Sequence, residues 1–293
     1  MNNHINQPPP ILLTISGFDP SCGAGVAADL KTFAAHNCYG VAAVTALTVQ
    51  SSHGVQATNP TSSATLRGQL DAILEDVSIA AVKIGMLGNR ANAAIAAEFL
   101  DRGKFAHVVL DPVLRASSGG VELLDASGIR FLRDELLKRV SVVTPNIPEA
   151  ELLTGIEIKD VASMRAAAQK LIEMGAKAVI VKGGHMSKPT DVLCEGAEIN
   201  TFEGDHIKTE NTHGSGCTFS SAVAAQLACG LQIRDAVILA KAYVTKAMEK
   251  GYAIGKGPGP LNHFFRFHLE PPARGVHEVP QHGMHPAAEP AAH

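Results

Sequence analysis

Apolar residues recur along this chain in two rhythms. Short runs rich in β-branched residues fall at 11–16, 41–49, 80–84, 106–110, 140–144 and 176–182, and stretches with helical spacing lie between most of them, at 24–37, 61–76, 89–102, 126–138 and 160–174. Strands that alternate with helices need crossover connections, so the pattern predicts an α/β fold with a mostly parallel central sheet. Val192–Leu193 and Ile199–Phe202 flank Glu195-Gly196, the mark of a small hairpin at a sheet edge, and two helices rich in small residues follow at about 216–229 and 234–250.

The rhythm stops at both ends. Residues 1–10 are polar and end in three prolines, while 271–293 holds five prolines and four histidines, so both termini (1–10 and 269–293) are expected as flexible tails. Within 11–268 there is no internal repeat and no Pro/Gly linker, which predicts a single domain. His282 and His285 have metal-ligand chemistry, but nothing in their surroundings orders them.

Composition narrows the class. The chain has 293 residues, 46% of them apolar and 18% charged, with a formal net charge of −3. A chain of this size buries about 70–75% of its unfolded surface, enough for one large core. Low charge excludes a disordered or coiled-coil chain and disfavours a nucleic-acid partner. Aromatics are only 4% and Trp is absent, so close backbone packing must replace large rings. The five cysteines form no C-x-x-C pair and follow no secretory segment, which predicts free thiols in a reducing cytoplasm. No apolar run approaches the ~20 residues that span a bilayer, so no membrane association is expected.

In parallel sheets ligands bind beyond the carboxyl ends of the strands. The expected strands run out into Gly17-Phe18-Asp19, Gln50, Gly85-Met86, Asp111-Pro112-Val113, Thr144-Pro145-Asn146 and Lys182-Gly183-Gly184. Six polar or glycine-bearing ends point to one rim. Gly23-x-Gly25-x-x-Ala28 matches a dinucleotide fingerprint only formally. It follows the first strand by an extra segment, and no Asp or Glu lies between Asp29 and Asp71 to hold a ribose. These glycines either bring the backbone close to a flat ligand or relieve packing.

Asn211-Thr212-His213-Gly214-Ser215-Gly216-Cys217-Thr218 leads directly into a helix. Glycines that free successive N–H groups at a positive helix end make an anion hole. Cys217 lies in that first turn, where the dipole is expected to lower a thiol pKa from about 8.5 and make the sulfur a usable base or nucleophile. Asn146-x-x-Glu149 places an amide and a carboxylate on one helical face, suited to water-mediated Mg²⁺, although a helix cap gives the same letters. Lys182 ends an apolar strand at the rim, where a cation calls for an anionic partner such as phosphate.

Taken together, Gly17-Phe18-Asp19-Pro20-Ser21-Cys22-Gly23-Ala24-Gly25, Lys83-Ile84-Gly85-Met86-Leu87, Asp111-Pro112-Val113, Thr144-Pro145-Asn146-Ile147-Pro148-Glu149, Val181-Lys182-Gly183-Gly184-His185 and Thr212–Thr218 resemble the bacterial hydroxymethylpyrimidine/phosphomethylpyrimidine kinases of thiamine biosynthesis, over roughly 11–268. The resemblance implies a ribokinase-like three-layer α/β/α fold. It also implies phosphorylation by ATP of 4-amino-5-hydroxymethyl-2-methylpyrimidine and then of its monophosphate, in a cytoplasmic homodimer. By it, Gln50, Asp29, Gly17, Met86 and Val113 bind the substrate, and Lys182 binds ATP. Asp111, Asn146 and Glu149 organise Mg²⁺, while Gly214, Ser215, Gly216 and Cys217 form the catalytic turn. This chain departs from the family pattern at Phe18, at Cys22, where glycine is usual, and at Ser117, where lysine is. A pyridoxal kinase of the same superfamily is the nearest alternative, and a non-catalytic pyrimidine or nucleotide sensor is one of a different class.

Overall fold

The computed structural model of the protein describes residues 8–116, 120–184 and 186–267. The termini expected as tails lie almost wholly outside the described residues, as do His185, Ser117, His282 and His285. Among the described residues nine strands form one sheet: β1 (Ile11–Phe18), β2 (Tyr39–Ser51), β3 (Gly54–Pro60), β4 (Ala81–Ile84), β5 (His107–Leu110), β6 (Val142–Val143), β7 (Ala178–Gly183), β8 (Thr190–Glu195) and β9 (Glu198–Glu203). Their order is β3-β2-β1-β4-β5-β6-β7-β8-β9. The pairs from β2 through β7 are parallel, and β3, β8 and β9 are antiparallel additions at the two edges. The β8–β9 hairpin sits at the edge the sequence assigns to it. The β2–β3 hairpin at the other edge is new, because β3 has no buried residue and so presents no apolar rhythm.

Among the described residues eight α-helices cover the sheet: α1 (Gly25–Ala35), α2 (Ser63–Asp76), α3 (Arg90–Arg102), α4 (Ala126–Phe131), α5 (Ile147–Thr154), α6 (Val161–Glu173), α7 (Ser215–Ala228) and α8 (Ile233–Glu249). The helix expected over 126–138 is α at its start and then passes through a π turn (Leu132–Leu136) and a 3₁₀ turn (Leu137–Arg139). Central strands alternate their side chains between the two faces. Leu13, Ile15, Val82, Val108 and Val179 join the core under α2–α6, whereas Leu12, Ala81, Val109, Ala178 and Ile180 join that under α1, α7 and α8. This is a three-layer α/β/α arrangement. No described helix is long and apolar enough to cross a membrane.

One polar cluster interrupts the second core. Thr14 of β1 and Lys83 of β4 are register partners. Both occupy positions facing α1 and α7 in otherwise apolar strands. Lys83 Nζ donates to both carboxylate oxygens of Asp29 at 2.9 Å, with both side chains fully buried. Thr14 donates to Asp29 Oδ2 at 2.6 Å and Ser221 of α7 to Asp29 Oδ1 at 2.7 Å. The Asp29 carboxylate holds the Lys83 ammonium above the ordinary lysine pKa against the opposing cost of burial. The ammonium is therefore charged at neutral pH.

Breaking a buried pair on one side strands the remaining charge, at a cost of about 3–5 kcal/mol. Lys83→Met is therefore expected to lower stability by roughly that amount. The double variant Lys83→Met/Asp29→Asn should be less destabilised than the sum of its parts, which a double-mutant cycle of denaturant unfolding would measure. Simple additivity would refute a coupled pair.

Candidate active site

The strand ends meet the start of α7 around one cavity of about 880 Å³, counted to its open mouth. Into it come Gly17, Gln50, Met86, Val113, Asp111, Asn146, Glu149, Lys182, Gly214, Gly216 and Cys217. Two residues expected in the site do not line it. Asp29 is fully buried, with its carboxylate occupied by Lys83, Thr14 and Ser221, so it supports the site from below and cannot touch a substrate. The Ser215 N–H donates back to the Thr212 carbonyl at 3.2 Å, which removes it from the anion hole. The N–H groups of Gly216 and Cys217, next in the turn, have no intrahelical carbonyl to meet.

The α7 start is held by backbone contact. Gly214 has φ 81°, and a Cβ there would collide with the Gly23 carbonyl; a Cβ on Gly23 would collide with the His213 ring. Packing is thus what the Gly23 position requires. Cys22, beside it, stands at φ 58° in the left-handed region, a conformation that explains the usual glycine and costs a non-glycine residue about 1 kcal/mol or more.

His213 and Asp19 complete this corner, and neither carries a role in the sequence reading. The Asp19 carboxylate accepts from Ser21 N (2.8 Å), Ala24 N (2.9 Å) and Gly23 N (3.2 Å), and it faces His213 Nε2 at 2.8 Å. Burial pushes its pKa up, but the His213 and Ser21 hydrogen bonds outweigh burial and hold it below the usual carboxylate value. A carboxylate acceptor fixes the proton on His213 Nε2. Gln50 Nε2, 3.4 Å from that same nitrogen, then faces a donor. Its amide N–H groups therefore remain available to a ligand. An Asp directly after a strand was visible in the sequence; its partner 194 residues away was not.

The opposite charge cluster is built from β5, β7 and α5. Lys182 Nζ donates to Asp111 Oδ1 at 3.0 Å, and Thr144 reaches the same oxygen at 3.3 Å. Burial raises the Asp111 pKa, but Lys182 and Lys83 lower it further and keep it ionised. Asn146 and Glu149 form a capping box on α5: Glu149 N donates to Asn146 Oδ1 and Asn146 N to Glu149 Oε2, both at 2.9 Å. The cap reading of N-x-x-E is thus realised here. The amide oxygen of Asn146 accepts the cap bond through one of its two lone pairs and retains the other. Burial, with Asp111 nearby, pushes the Glu149 carboxyl up to about 7 despite the opposing pull of Lys182.

Cys217 lines the cavity, but its thiol is not lowered. Burial pushes it up to about 12, Asp111 and Asp29 add to this, and Lys83 and the Gly25 N–H only partly oppose it. Loss of hydration outweighs the dipole of the helix start. At neutral pH the sulfur is a neutral thiol.

A carboxyl raised by folding takes up protons that the unfolded chain has released, so it weakens the fold as pH rises from about 4.5 through about 7. Glu149→Gln preserves the capping geometry and cannot ionise. In metal-free buffer it is expected to be more stable than the wild type at pH 8, by on the order of 2 kcal/mol, with the gain fading at pH 5. Thermal unfolding at both pH values checks this, and a pH-independent difference would contradict it.

Known proteins resemble this chain in sequence and in fold. The family model described as phosphomethylpyrimidine kinase matches residues 19–262. The hydroxymethylpyrimidine/phosphomethylpyrimidine kinase of Bacillus subtilis is 42% identical over 255 residues, covering 86% of this chain and 94% of its own. Among solved structures, pyridoxal kinase from Staphylococcus aureus in complex with AMP-PCP and pyridoxal superposes with a TM-score of 0.81 at 32% identity, covering 89% of this chain and 96% of that one. Phosphomethylpyrimidine kinase from Clostridium difficile gives 0.73 at 36%, covering 81% and 99%. The sheet order, the cavity at the strand ends and these matches have one explanation: the chain belongs to the phosphomethylpyrimidine kinase family, with its ribokinase-like α/β/α fold.

Proposed function

We propose that the protein transfers the γ-phosphoryl group of ATP to the hydroxymethyl group of 4-amino-5-hydroxymethyl-2-methylpyrimidine, and then to the resulting monophosphate, as a kinase of thiamine biosynthesis. The observation that carries this reading is the division of one cavity into two kinds of wall. Met86 and Leu123, with Val113 and Ala116 packed against their cluster, form an apolar wall suited to a flat ring, and Gln50 offers an amide at the same cavity. Lys182, Asp111, Glu149 and the Gly216 and Cys217 N–H groups supply the polar remainder, suited to phosphates.

Gln50 matches the edge of an aminopyrimidine, since a carboxamide pairs one donor and one acceptor with an amine beside a ring nitrogen. Gly17, with no side chain, lets Met86 approach the same wall; a Cβ there would lie 2.9 Å from Met86 Sδ. Lys182 binds ATP phosphate oxygens, and the start of α7 stabilises charge on the transferring group. The Asp111 and Glu149 carboxylates fit a hydrated Mg²⁺ shared with the nucleotide: two oxygen donors at one cavity, the second held up to about 7 first by burial and then by Asp111, costs that a divalent cation would relieve. When bound, Mg²⁺ supplies neutralisation of the phosphate charge. Asn146 suits a phosphate oxygen through its NH2 group, and a metal-bound water, which donates, through the second lone pair of its Oδ1.

Cys217 is assigned to the proton of the first acceptor. A thiol with pKa about 12 is thiolate in on the order of one molecule in 10⁵ at pH 7. That thiolate is a strong base, so scarcity and strength offset each other and its contribution falls at the low end for a general base. The second acceptor reacts through a phosphate oxygen that is already anionic. Cys217→Ala is therefore expected to slow the alcohol step by about tenfold to a hundredfold and the monophosphate step by much less. Equal losses in separate assays would leave Cys217 as a packing or anion-hole residue.

A second reading is favoured by the superposition on pyridoxal kinases. ATP consumption with product mass, measured against the aminopyrimidine, its monophosphate and pyridoxine, separates the two, and pyridoxine turnover at a matching rate would support the second. Exposed Leu47 and Val49 on β2 support assembly as a homodimer, for which sedimentation velocity is the test.

A further inference from the structure

A kinase that takes an alcohol and then the alcohol's own phosphate must accept about two additional negative charges in a site that first held a neutral group. Besides the Cys217 thiol, the ionisable residues of the cavity among the described residues are the acids Asp19, Asp111 and Glu149 and the bases Arg115, Lys182 and His213. Lys182 is committed to Asp111 at 3.0 Å and His213 to Asp19 at 2.8 Å. Arg115 is held differently. Its recorded partner among the described residues is Glu122, at 3.8 Å, with the two side chains 60% and 70% exposed. Such a pair is long and hydrated, and is worth little. The guanidinium can exchange it for a phosphate at small cost.

The backbone beneath this side chain is fixed. Arg115 and Glu122 form an antiparallel bridge, flanked by Ala116 N to Val121 O at 2.8 Å and Leu123 N to Leu114 O at 2.9 Å. Leu114 is buried in the main core, while Val113, Ala116 and Leu123 belong to the apolar cluster that includes Met86. Arg115 therefore projects from the segment that walls the ring side of the cavity, whereas Lys182 comes from β7, on the side with Asp111 and Glu149. A guanidinium fork matches two phosphate oxygens at once and keeps its charge at every working pH.

We infer that Arg115 is the specificity-determining residue for the second step: it binds the phosphate of the monophosphate acceptor, releasing Glu122 as it does so. The inference rests on the two-step reading above.

The test is steady-state kinetics of both steps in purified full-length protein. Arg115→Ala is expected to raise the ratio of KM for the monophosphate to KM for the alcohol by about tenfold. Arg115→Lys should recover part of that ratio, because it restores the charge without the fork. Glu122→Gln should lower KM for the monophosphate. Added KCl should raise this KM in the wild type and do so less in Arg115→Ala. Circular dichroism and melting temperature serve as fold controls for an exposed side chain. An unchanged ratio overturns the assignment, as does a rise in KM for ATP shared by both steps, which would place the guanidinium on the nucleotide. A wild type that phosphorylates the alcohol and never the monophosphate would defeat the two-step reading itself and the assignment with it. That result differs from a wild type active on both whose ratio Arg115→Ala leaves untouched.

Discussion

The buried pair of Lys83 and Asp29 is the constraint on which the site depends. Asp29 lies one turn into α1, directly after the glycine loop, and takes hydrogen bonds from β1, β4 and α7 at once. These four elements all end at the cavity. A carboxylate with three partners in fixed directions sets the height and rotation of α1 and α7 on the sheet, which apolar contacts between alanines and valines leave loosely determined. The backbone contact between Gly214 and Gly23 needs that placement, since neither glycine has a side chain with which to correct an error. Buried ion pairs are weak sources of stability compared with apolar packing, and their attested use is in specifying one arrangement. Here the specified arrangement brings the 17–25 loop against the 213–217 turn.

Above this pair the cavity is built almost neutral. Lys182 balances Asp111, and His213 is set against Asp19. The glycine loop adds three backbone N–H groups to Asp19, so that its charge is met largely by dipoles. The near-zero net charge of the whole chain hides this arrangement, because N–H groups carry no formal charge. The imbalance that remains is on the carboxylate side, where Glu149 cannot easily ionise beside Asp111. On the proposed reading, one acid with a raised pKa and one loosely held guanidinium suit ligands that bring both a cation and extra phosphate.

What the sequence disclosed follows from how local each feature is. The apolar runs and the polar residues that end them are local, so the parallel strands and most of the rim were legible. β3 was not, because an edge strand with both faces wet leaves no apolar alternation. Asp29 was read as a substrate ligand because a polar residue just past a glycine loop looks the same whether it faces a ligand or a lysine in another strand. A clue existed in Ala81-Val82-Lys83-Ile84, since a lysine inside a buried strand must have an acid nearby. The Cys217 thiol was misjudged for a related reason: the helix start was visible locally, while burial and two neighbouring carboxylates were not. Arg115 gave no signal, because its exposure to the cavity depends on the bridge to Glu122.

The raised thiol also explains why a cysteine suits this turn. A carboxylate at 217, when ionised, would face Asp111 and Asp29, both of which already oppose negative charge at this position. It would also face the second acceptor, which arrives with a charge of roughly −2. Like charges a few ångströms apart in a desolvated cavity cost several kcal/mol. A half-buried thiol carries no charge in almost every molecule, so it adds nothing to this repulsion. On the proposed two-step reading, the alcohol step draws on the rare thiolate, which has already given its own proton to solvent and becomes a neutral thiol again when it takes the alcohol's; the monophosphate step, whose acceptor oxygen is already anionic, needs no such transfer. The same loss of hydration that makes the thiolate scarce keeps the turn uncharged before either acceptor.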